Sequence, residues 1–277
     1  MAPQSATLDY EEECVERVFN QTKTSTETIR PNHICNADLS KDALEKIFKT
    51  TVPDFESSKL YMAGLMHLCC SLDYNVRVRN PPSSSFEMSL YQCETVEEAR
   101  NIFKGSLYGY NMPGLLRPGP AKTACIGSYA LGGLGRLKFV RDTMFVDIMD
   151  PSFCLKEEEM LKLGKALDNH FVAGRVETPR QKTLPSCILH CSEKMTVPVG
   201  QTITLKVKHD ENHYRLDATI EHPDLIGATG WDKDPSEMSF EASKEGVTRI
   251  CLISIHNKTF HTARSRPVEV NITSRIC

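Results

Sequence analysis

The stretch from Gly135 to Met149 limits the fold of this chain more than any other part of the sequence. Apolar residues alternate with a period of two in both halves of the stretch: Leu137, Phe139, Met144, Val146 and Ile148. This alternation predicts the two strands of a hairpin. Further along, apolar residues recur at helical spacing on one stripe: Met160, Leu163, Leu167 and Phe171. We therefore predict a sheet with an amphipathic helix packed across it.

The residues before this hairpin change repeatedly between helical and strand patterns. Helices are predicted over 9–19, after Ser40 as an N-cap, and from the capping-box sequence Thr95-Val-Glu-Glu98. The first half of the apolar run Leu60 to Cys70 is predicted to be helical, because Met, Ala and Leu favour helices. Strands are predicted over 75–79, 86–93 and 127–131. This order predicts an α+β fold for residues 1–176, built as a two-layer α/β sandwich.

The pattern changes after a linker from Gly174 to Pro185. Period-two alternation then returns in a series of short segments: 195–199, 202–208, 214–220, 238–242, 247–255 and 268–272. Short strands at regular spacing, separated by Gly and Asp turns and without helical patterns, are typical of an immunoglobulin-like β-sandwich. We therefore predict a second domain of this fold over residues 185–277.

In the first domain the run Ile126-Gly-Ser-Tyr-Ala130 is followed by the hairpin segments 137–142 and 145–147 and then by a helix. This order of features resembles bacterial extracytoplasmic sensor-type domains. In that family a Gly-containing strand precedes a hairpin with a phenylalanine–arginine motif and a final helix. The resemblance implies a domain that binds a ligand or a partner without catalysis.

Four segments follow one another in the second domain: Val197-Pro-Val-Gly200, His213-Tyr214, 226–230 before Phe240, and 246–250. In the order of these features the domain is similar to chagasin-type cysteine-protease inhibitors. Two inhibitory features differ, because Asp210 to His213 stands where the family has Asn-Pro-Thr-Thr-Gly and no Arg-Pro-aromatic motif is found. The resemblance therefore implies the fold more than it implies inhibition.

Charge and hydropathy argue against two classes of partner. The net charge is −3, and Lys and Arg form no stripe that could neutralise phosphates, so we expect no nucleic acid partner. No apolar run reaches the roughly 20 residues that span a bilayer. The first residues lack the regions of a signal peptide, which predicts a cytoplasmic protein or a secreted one whose signal has been removed. The 11 cysteines and the sequons at Asn20, Asn257 and Asn271 leave compartment and redox state open.

Several segments contain residue types that bind metals, anions or substrates in other proteins. His209 and His213 are four residues apart in a strand–loop–strand pattern, where this spacing does not guarantee that the two side chains share a face, as it would on a helix. Cys187-Ile-Leu-His-Cys191 could bind a metal or hold a reactive thiol, but a cysteine at the start of a strand more often packs as a small apolar residue, or pairs in an oxidising compartment. Gly132-Gly-Leu-Gly135 precedes a strand, so it predicts a turn and not a phosphate loop. We predict no metal, no cofactor and no catalytic residue.

Trp231 is the only tryptophan of the chain and is predicted to lie in a polar loop. In an immunoglobulin-like order, the connections 209–213, 227–236 and 257–264 meet at one end of the sandwich. That end would collect four side chains: His209, His213, Trp231 and His261. Tryptophan is enriched among the residues that dominate binding energy. The alternative is that Trp231 folds back and closes the end of the sandwich.

The predicted function is non-catalytic binding of a protein or another macromolecule through these loops and the cleft between the domains. An enzyme of unfamiliar type stays open as an alternative, with its site in the first domain or the cleft. Tyr108, Tyr110 and Arg117 of the Gly- and Pro-rich loop 105–120 would then line the pocket. A cysteine-protease inhibitor is the second alternative.

Overall fold

The computed structural model describes residues 15–24, 33–66, 69–107, 124–133, 135–177, 187–208, 214–231 and 236–274. Contacts divide the chain into two compact units, Met1–Arg180 and Gln181–Cys277. The boundaries at 176 and 185 for independent domains stay a prediction. No helix in the described ranges is long and apolar enough to cross a membrane.

Six antiparallel strands form the main sheet of the N-terminal unit. The strands are β2 (Phe55–Met66), β3 (Cys69–Val78), β4 (Ser84–Gln92), β5 (Tyr129–Gly133), β6 (Arg136–Arg141) and β7 (Met144–Met149). Their order across the sheet is β2-β3-β4-β7-β6-β5. Two short strands, β1 (His33–Cys35) and β8 (Arg175–Glu177), pair antiparallel in a separate ribbon.

The predicted hairpin and helix are both confirmed. β6 and β7 pair with Leu137 opposite Ile148 and Phe139 opposite Val146. The helix α4 (Glu157–Ala173) follows, and its predicted apolar stripe is buried. The ring of Phe171 packs against Phe139, with 6.2 Å between the centroids. The period-two and helical patterns therefore located this part of the core correctly.

Helices lie on both faces of the sheet. The sequence had predicted a two-layer sandwich, so this part of the predicted fold is wrong. The other helices are α1 (15–21), α2 (Lys41–Thr51) and α3 (Val96–Gly105). α2 contacts α4 on one face, whereas Phe103 of α3 meets Phe145 on the other face at 5.9 Å between ring centroids. The second helical layer forms because β6 and β7 bury apolar side chains on both sides, for example Phe145 and Val146.

The predicted helix over the first half of Leu60 to Cys70 is wrong, because this segment belongs to β2. β2 pairs with β3 over its whole length, from Phe55 opposite Val78 to Met66 opposite Cys69. The helical propensity of Met, Ala and Leu amounts to a few tenths of a kcal/mol per residue, so a long ladder of backbone hydrogen bonds outweighs it. The helix predicted from the capping box Thr95-Val-Glu-Glu98 is confirmed, because Thr95 is the N-cap of α3 and its hydroxyl accepts the Glu98 N–H at 3.1 Å.

Two sheets face each other in the C-terminal unit. The strands are β9 (Ile188–Leu189), β10 (Lys194–Pro198), β11 (Thr202–Lys208), β12 (Tyr214–Ile220), β13 (Ile226–Trp231), β14 (Glu237–Ala242), β15 (Gly246–His256), β16 (Thr262–Arg264) and β17 (Val268–Thr273). One sheet has the order β13-β14-β11-β9, and the other has the order β10-β17-β15-β12, with β16 paired to β15. Apolar side chains from both sheets, among them Leu205, Phe240 and Leu252, form the core.

The strand order of this unit is that of a constant-type immunoglobulin sandwich. If β9, β11, β12, β13, β14, β15 and β17 are lettered A to G, the sheets read ABED and CFG. The six strand segments predicted from the alternation are all present. The loop predicted over 227–236 is wrong in its first half, because 227–231 belong to β13. Gly227 and Gly230 are tolerated there because β13 is an edge strand with a bulge between Ala228 and Gly230.

Candidate functional site

The loop pole is the end of the C-terminal sandwich formed by Lys208, Tyr214, Trp231, Glu237 and His256. Register places these strand ends together, because Tyr214 lies opposite His256, Trp231 opposite Met238, and Lys206 opposite Glu237. The connections from β11 to β12, from β13 to β14 and from β15 to β16 therefore all start and end at this pole. The first two connections, 209–213 and 232–235, lie outside the described residues.

Hydrogen bonds to His256 fix the third connection, 257–261. The His256 carbonyl accepts the Phe260 N–H at 2.9 Å, and the His256 N–H donates to the His261 carbonyl at 2.9 Å. Nδ1 of His256 accepts the Thr259 N–H at 3.1 Å and lies 2.9 Å from the Thr259 hydroxyl. Because Nδ1 is an acceptor, the neutral ring carries its proton on Nε2. This ring stands nearly perpendicular to the ring of Tyr214, with 5.1 Å between the centroids.

An aromatic and a cationic side chain stand beside this connection. The Arg215 guanidinium lies 5.3 Å from the centroid of the Phe260 ring, within the range of a cation–π interaction. Phe260 has a left-handed backbone with φ of 57°, which turns the chain sharply between β15 and β16. The pole thus presents a fixed turn whose exposed residues include Asn257 and Lys258.

The structure locates two of the predicted binding residues. His261 is half-exposed in the connection at the loop pole. Trp231 was predicted in a loop, but its backbone is the last part of β13, opposite Met238. The side chain of Trp231 is outside the described part of the structure. The other predicted residues also lie outside the described residues: His209, His213, Tyr108, Tyr110 and Arg117.

A row of polar side chains crosses the sheet of the N-terminal unit, and the sequence-based reasoning missed it. This polar row consists of Lys138 on β6, Asp147 on β7, Ser89 on β4 and Asp73 on β3, each directly opposite the next. It lies on the face that carries α1 and α3. Lys138 and Asp73 are 3% and 5% exposed. Charged groups that are this deeply buried are uncommon and need partners.

The two carboxylates of the polar row have different partners. Asp147 accepts from Arg136 at 2.9 and 2.6 Å and lies 3.2 Å from the Lys138 ammonium. Asp73 accepts from the hydroxyls of Ser89 at 2.5 Å and Ser71 at 3.3 Å. No cation pairs with Asp73 in the described parts of the chain. The sheet face therefore holds one neutralised and one uncompensated carboxylate.

Burial shifts the protonation equilibria around the polar row. Desolvation lowers the pKa of the Lys138 ammonium, and the nearby Asp147 carboxylate opposes this shift. Burial and then the charge of Asp73 raise the pKa of the Tyr91 phenol. Tyr91 is therefore a neutral hydrogen-bonding group beside Asp73 at neutral pH.

A polar cavity of about 490 Å³ adjoins the polar row on the same sheet face. Its lining comes from β2, β3, β4 and the turn before β4: Lys59, Asn75, Arg77, Ser83, Ser85 and Glu87. Lys59 lies opposite Asn75, which lies opposite Glu87, and Arg77 lies opposite Ser85. Within the described residues, Lys59, Arg77 and Glu87 form no ion pair. Both signs of charge are thus available to a bound molecule.

The sequence contained a signal for this face. Polar residues occupy alternate positions of β3 and β4, at Ser71, Asp73, Asn75 and Arg77 and again at Ser85, Glu87 and Ser89. This spacing places them on one side of the sheet. The alternation had indicated strands only, because the partner strand and its register are needed to show that the two polar stripes are adjacent.

No model of a known protein family matches the sequence, and no curated protein matches it. Solved structures give distant likenesses. The N-terminal Ig1-2 module of the Drosophila receptor protein tyrosine phosphatase DLAR is 8% identical, with 79% of this chain and 100% of that chain covered and a TM-score of 0.27. A structure of tandem Ig repeats of Dlar is 10% identical, with 74% and 90% covered and a TM-score of 0.25.

Domains 4 and 5 of the S-layer protein SbsC are 16% identical, with 36% of this chain and 58% of that chain covered and a TM-score of 0.25. This chain therefore spans little more than half of that S-layer structure. Likenesses at these TM-scores carry no argument about fold or function. The immunoglobulin-like assignment rests on the strand order, and these structures do not confirm the sensor-type and chagasin-type resemblances.

Proposed function

We propose that this protein is a binding protein and that its C-terminal sandwich contacts a macromolecular partner through the loop pole. The observation that carries the proposal is the convergence of three connections at one end of the sandwich. Immunoglobulin-like modules place such connections side by side, so one partner can contact residues from both sheets. The proposed contact residues remain those predicted from the sequence: His209, His213, Trp231 and His261.

A fixed turn at the pole favours binding, because a rigid surface loses little conformational entropy when a partner associates. The turn 257–261 is held by backbone hydrogen bonds and by Nδ1 of His256, so its shape exists before contact. Trp231, at the end of β13, supplies the residue type that most often dominates a binding surface.

Charge reversal at each end of the sandwich tests this proposal. Lys258 is exposed at the loop pole, and Lys244 is exposed in the turn at the opposite end. Partners are first captured from native extract with the wild-type protein, and the Kd of the captured partner is then measured for each variant. Lys258→Glu is expected to weaken binding about tenfold or more, whereas Lys244→Glu is expected to leave it unchanged. Equal losses, or no loss in either variant, would place the contact elsewhere.

Trp231→Ala separates the two alternatives for this residue. If Trp231 is a contact residue, the substitution weakens partner binding and leaves the melting temperature unchanged. If it closes the sandwich, the melting temperature falls, with a cost of about 3–5 kcal/mol for removing a buried aromatic side chain.

A second candidate function is the binding of a small polar ligand on the sheet face of the N-terminal unit. The cavity beside the polar row supports it, because Lys59 and Arg77 are available for an anionic group and Glu87 and Asn75 for hydroxyls. A sugar phosphate, with glucose 6-phosphate as the probe, has this combination of groups. Calorimetric titration is expected to show binding by wild-type protein and by Arg79→Gln, and at least a tenfold loss in Arg77→Gln. Equal affinity of all three proteins would reject the site.

A further inference from the structure

Cys69 and Cys93 stand opposite each other on neighbouring strands. Cys69 is the first residue of β3, and Cys93 follows the last residue of β4. The strands are antiparallel and Cys70 pairs with Gln92, so the next pair along the ladder is Cys69 with Cys93. Both side chains are 1% exposed and belong to the apolar cluster beneath α1 and α3.

This arrangement meets the distance requirement of a disulfide. Directly opposite residues of antiparallel strands have Cα atoms about 4.5 or 5.5 Å apart. A disulfide needs a Cα separation of about 4.4–6.8 Å, and both separations fall within this range. The thiols already interact, because a hydrogen bond with Cys69, followed by burial, raises the pKa of the Cys93 thiol.

The other described cysteines lack such an arrangement. Cys70 neighbours Cys69 in sequence, but successive residues of a strand point to opposite faces of the sheet, and Gln92 lies opposite Cys70. Cys251 contributes, after burial, to the raised pKa of the Cys187 thiol, but it lies opposite Thr219 in the ladder and not opposite another cysteine. Register therefore selects one pair among the nine thiols of the described residues.

We infer that Cys69 and Cys93 form a cross-strand disulfide when the chain folds in an oxidising compartment. The reaction exchanges the two thiols with a small-molecule disulfide such as oxidised glutathione. One thiolate attacks the oxidant and releases one glutathione, and the second cysteine attacks the resulting mixed disulfide and releases another. The protein loses two protons and two electrons, and the oxidant is reduced to two glutathione molecules.

The bond would join the end of β4 to the start of β3, within the apolar cluster. Because the thiols are buried in the folded chain, oxidation is expected while the strands assemble rather than after folding. The sequon residues Asn20, Asn257 and Asn271 are all exposed, which is compatible with folding in the secretory compartment where both modifications occur. The linkage closes a loop in the unfolded chain and so is expected to raise the Tm by roughly 5–10 °C.

Oxidative refolding followed by peptide mapping tests the inference. Reduced, unfolded protein is diluted into a buffer with reduced and oxidised glutathione, remaining thiols are blocked with N-ethylmaleimide, and tryptic peptides are identified without reduction. Cleavage after Lys59 and Arg77 leaves Cys69 and Cys70 on one peptide, and cleavage after Arg79 and Arg100 isolates Cys93. The expected product is a crosslink between these two peptides, while the exposed Cys125 is found blocked or bound to glutathione.

Two matched variants show whether Cys69 or Cys70 is linked to Cys93. Cys70→Ser is expected to retain the crosslink and its rise in Tm, and Cys69→Ser is expected to lose both. The inference is overturned if the crosslink persists in Cys69→Ser. It is also overturned if wild-type protein refolds, as judged by circular dichroism, with Cys69 and Cys93 both blocked by N-ethylmaleimide. The mapping of wild-type protein decides the question even where a variant does not fold.

Discussion

The ion pair between Arg141 and Asp168 gives the sharpest test of how the N-terminal unit is held together. Arg141 ends β6 and Asp168 lies on the buried side of α4. Their side chains are 7% and 1% exposed, and Nε of Arg141 donates to the Asp168 carboxylate at 2.5 Å. Nη2 donates to the second carboxylate oxygen at 3.0 Å. Lys165 lies 3.6 Å away but is 43% exposed.

Removing one member of this pair is expected to cost far more than removing both. Asp168→Leu leaves the Arg141 guanidinium buried without its carboxylate, and breaking a buried pair in this way costs about 3–5 kcal/mol. Arg141→Met leaves Asp168 buried, with only the half-exposed Lys165 nearby, and is expected to cost about the same. The double variant buries no charge at the site, so it is expected to be within about 1–2 kcal/mol of wild type.

Urea unfolding followed by two signals measures these differences. All described helices belong to the N-terminal unit, so far-UV circular dichroism follows that unit. Fluorescence of Trp231 follows the C-terminal unit and serves as an internal control that should not change. The reasoning would be refuted if either single variant lost less than about 1 kcal/mol, or if the double variant were less stable than both single variants.

Three further predictions follow from other sites. The buried Tyr74 hydroxyl donates to the Leu39 carbonyl at 3.1 Å, and burial raises its pKa to about 12. Because the pKa of this phenol is higher in the folded than in the unfolded chain, its hydrogen bond stabilises the fold fully below pH 10 and loses this effect as the pH rises towards 12. Wild type should therefore be roughly 1 kcal/mol more stable than Tyr74→Phe at neutral pH, and urea unfolding at alkaline pH should show this difference disappear. Gly127→Ala should lower the free energy of unfolding by about 1–3 kcal/mol, because φ is +63° and the new Cβ would lie 2.6 Å from a backbone oxygen. The Cβ of Gly105→Ala would meet nothing within 4 Å, so this control variant should be as stable as wild type or more stable by up to about 1 kcal/mol. Limited proteolysis should cut within 176–185 and release a C-terminal fragment that is folded by circular dichroism; an unfolded fragment would contradict the predicted domain boundary.

Local patterns in the sequence predicted the elements whose apolar residues recur at a regular spacing. The hairpin 135–149, the stripe of α4 and the strands of the C-terminal sandwich were all found, because each alternates at the period of its own backbone. The strand β2 was missed where the composition favoured a helix, and the error came from the propensity of isolated residues. Trp231 was placed in a loop because Gly and Asp surround it, although an edge strand with a bulge accepts glycine.

The polar row shows which part of a site the sequence could not supply. Lys138, Asp147, Ser89 and Asp73 come from four strands, and each is an ordinary polar position in its own strand. Their proximity depends on the order β3-β4-β7-β6, which places β7 beside β4, a strand far from it in sequence. Side-chain spacing within one strand contains no information about its neighbour.

The sequence by itself determined which segments are extended or helical and where the pattern changes from a mixed α and β region to an all-β region. These properties depend on residues a few positions apart, because the helix and strand backbones fix which of these residues share a face. Only the tertiary structure decided that helices cover both faces of the sheet, that Arg141 meets Asp168, and that Cys69 stands opposite Cys93. Each of these contacts joins residues from different strands or helices. Strand pairing and layer packing bring such residues together, and both depend on how the whole chain buries its apolar surface.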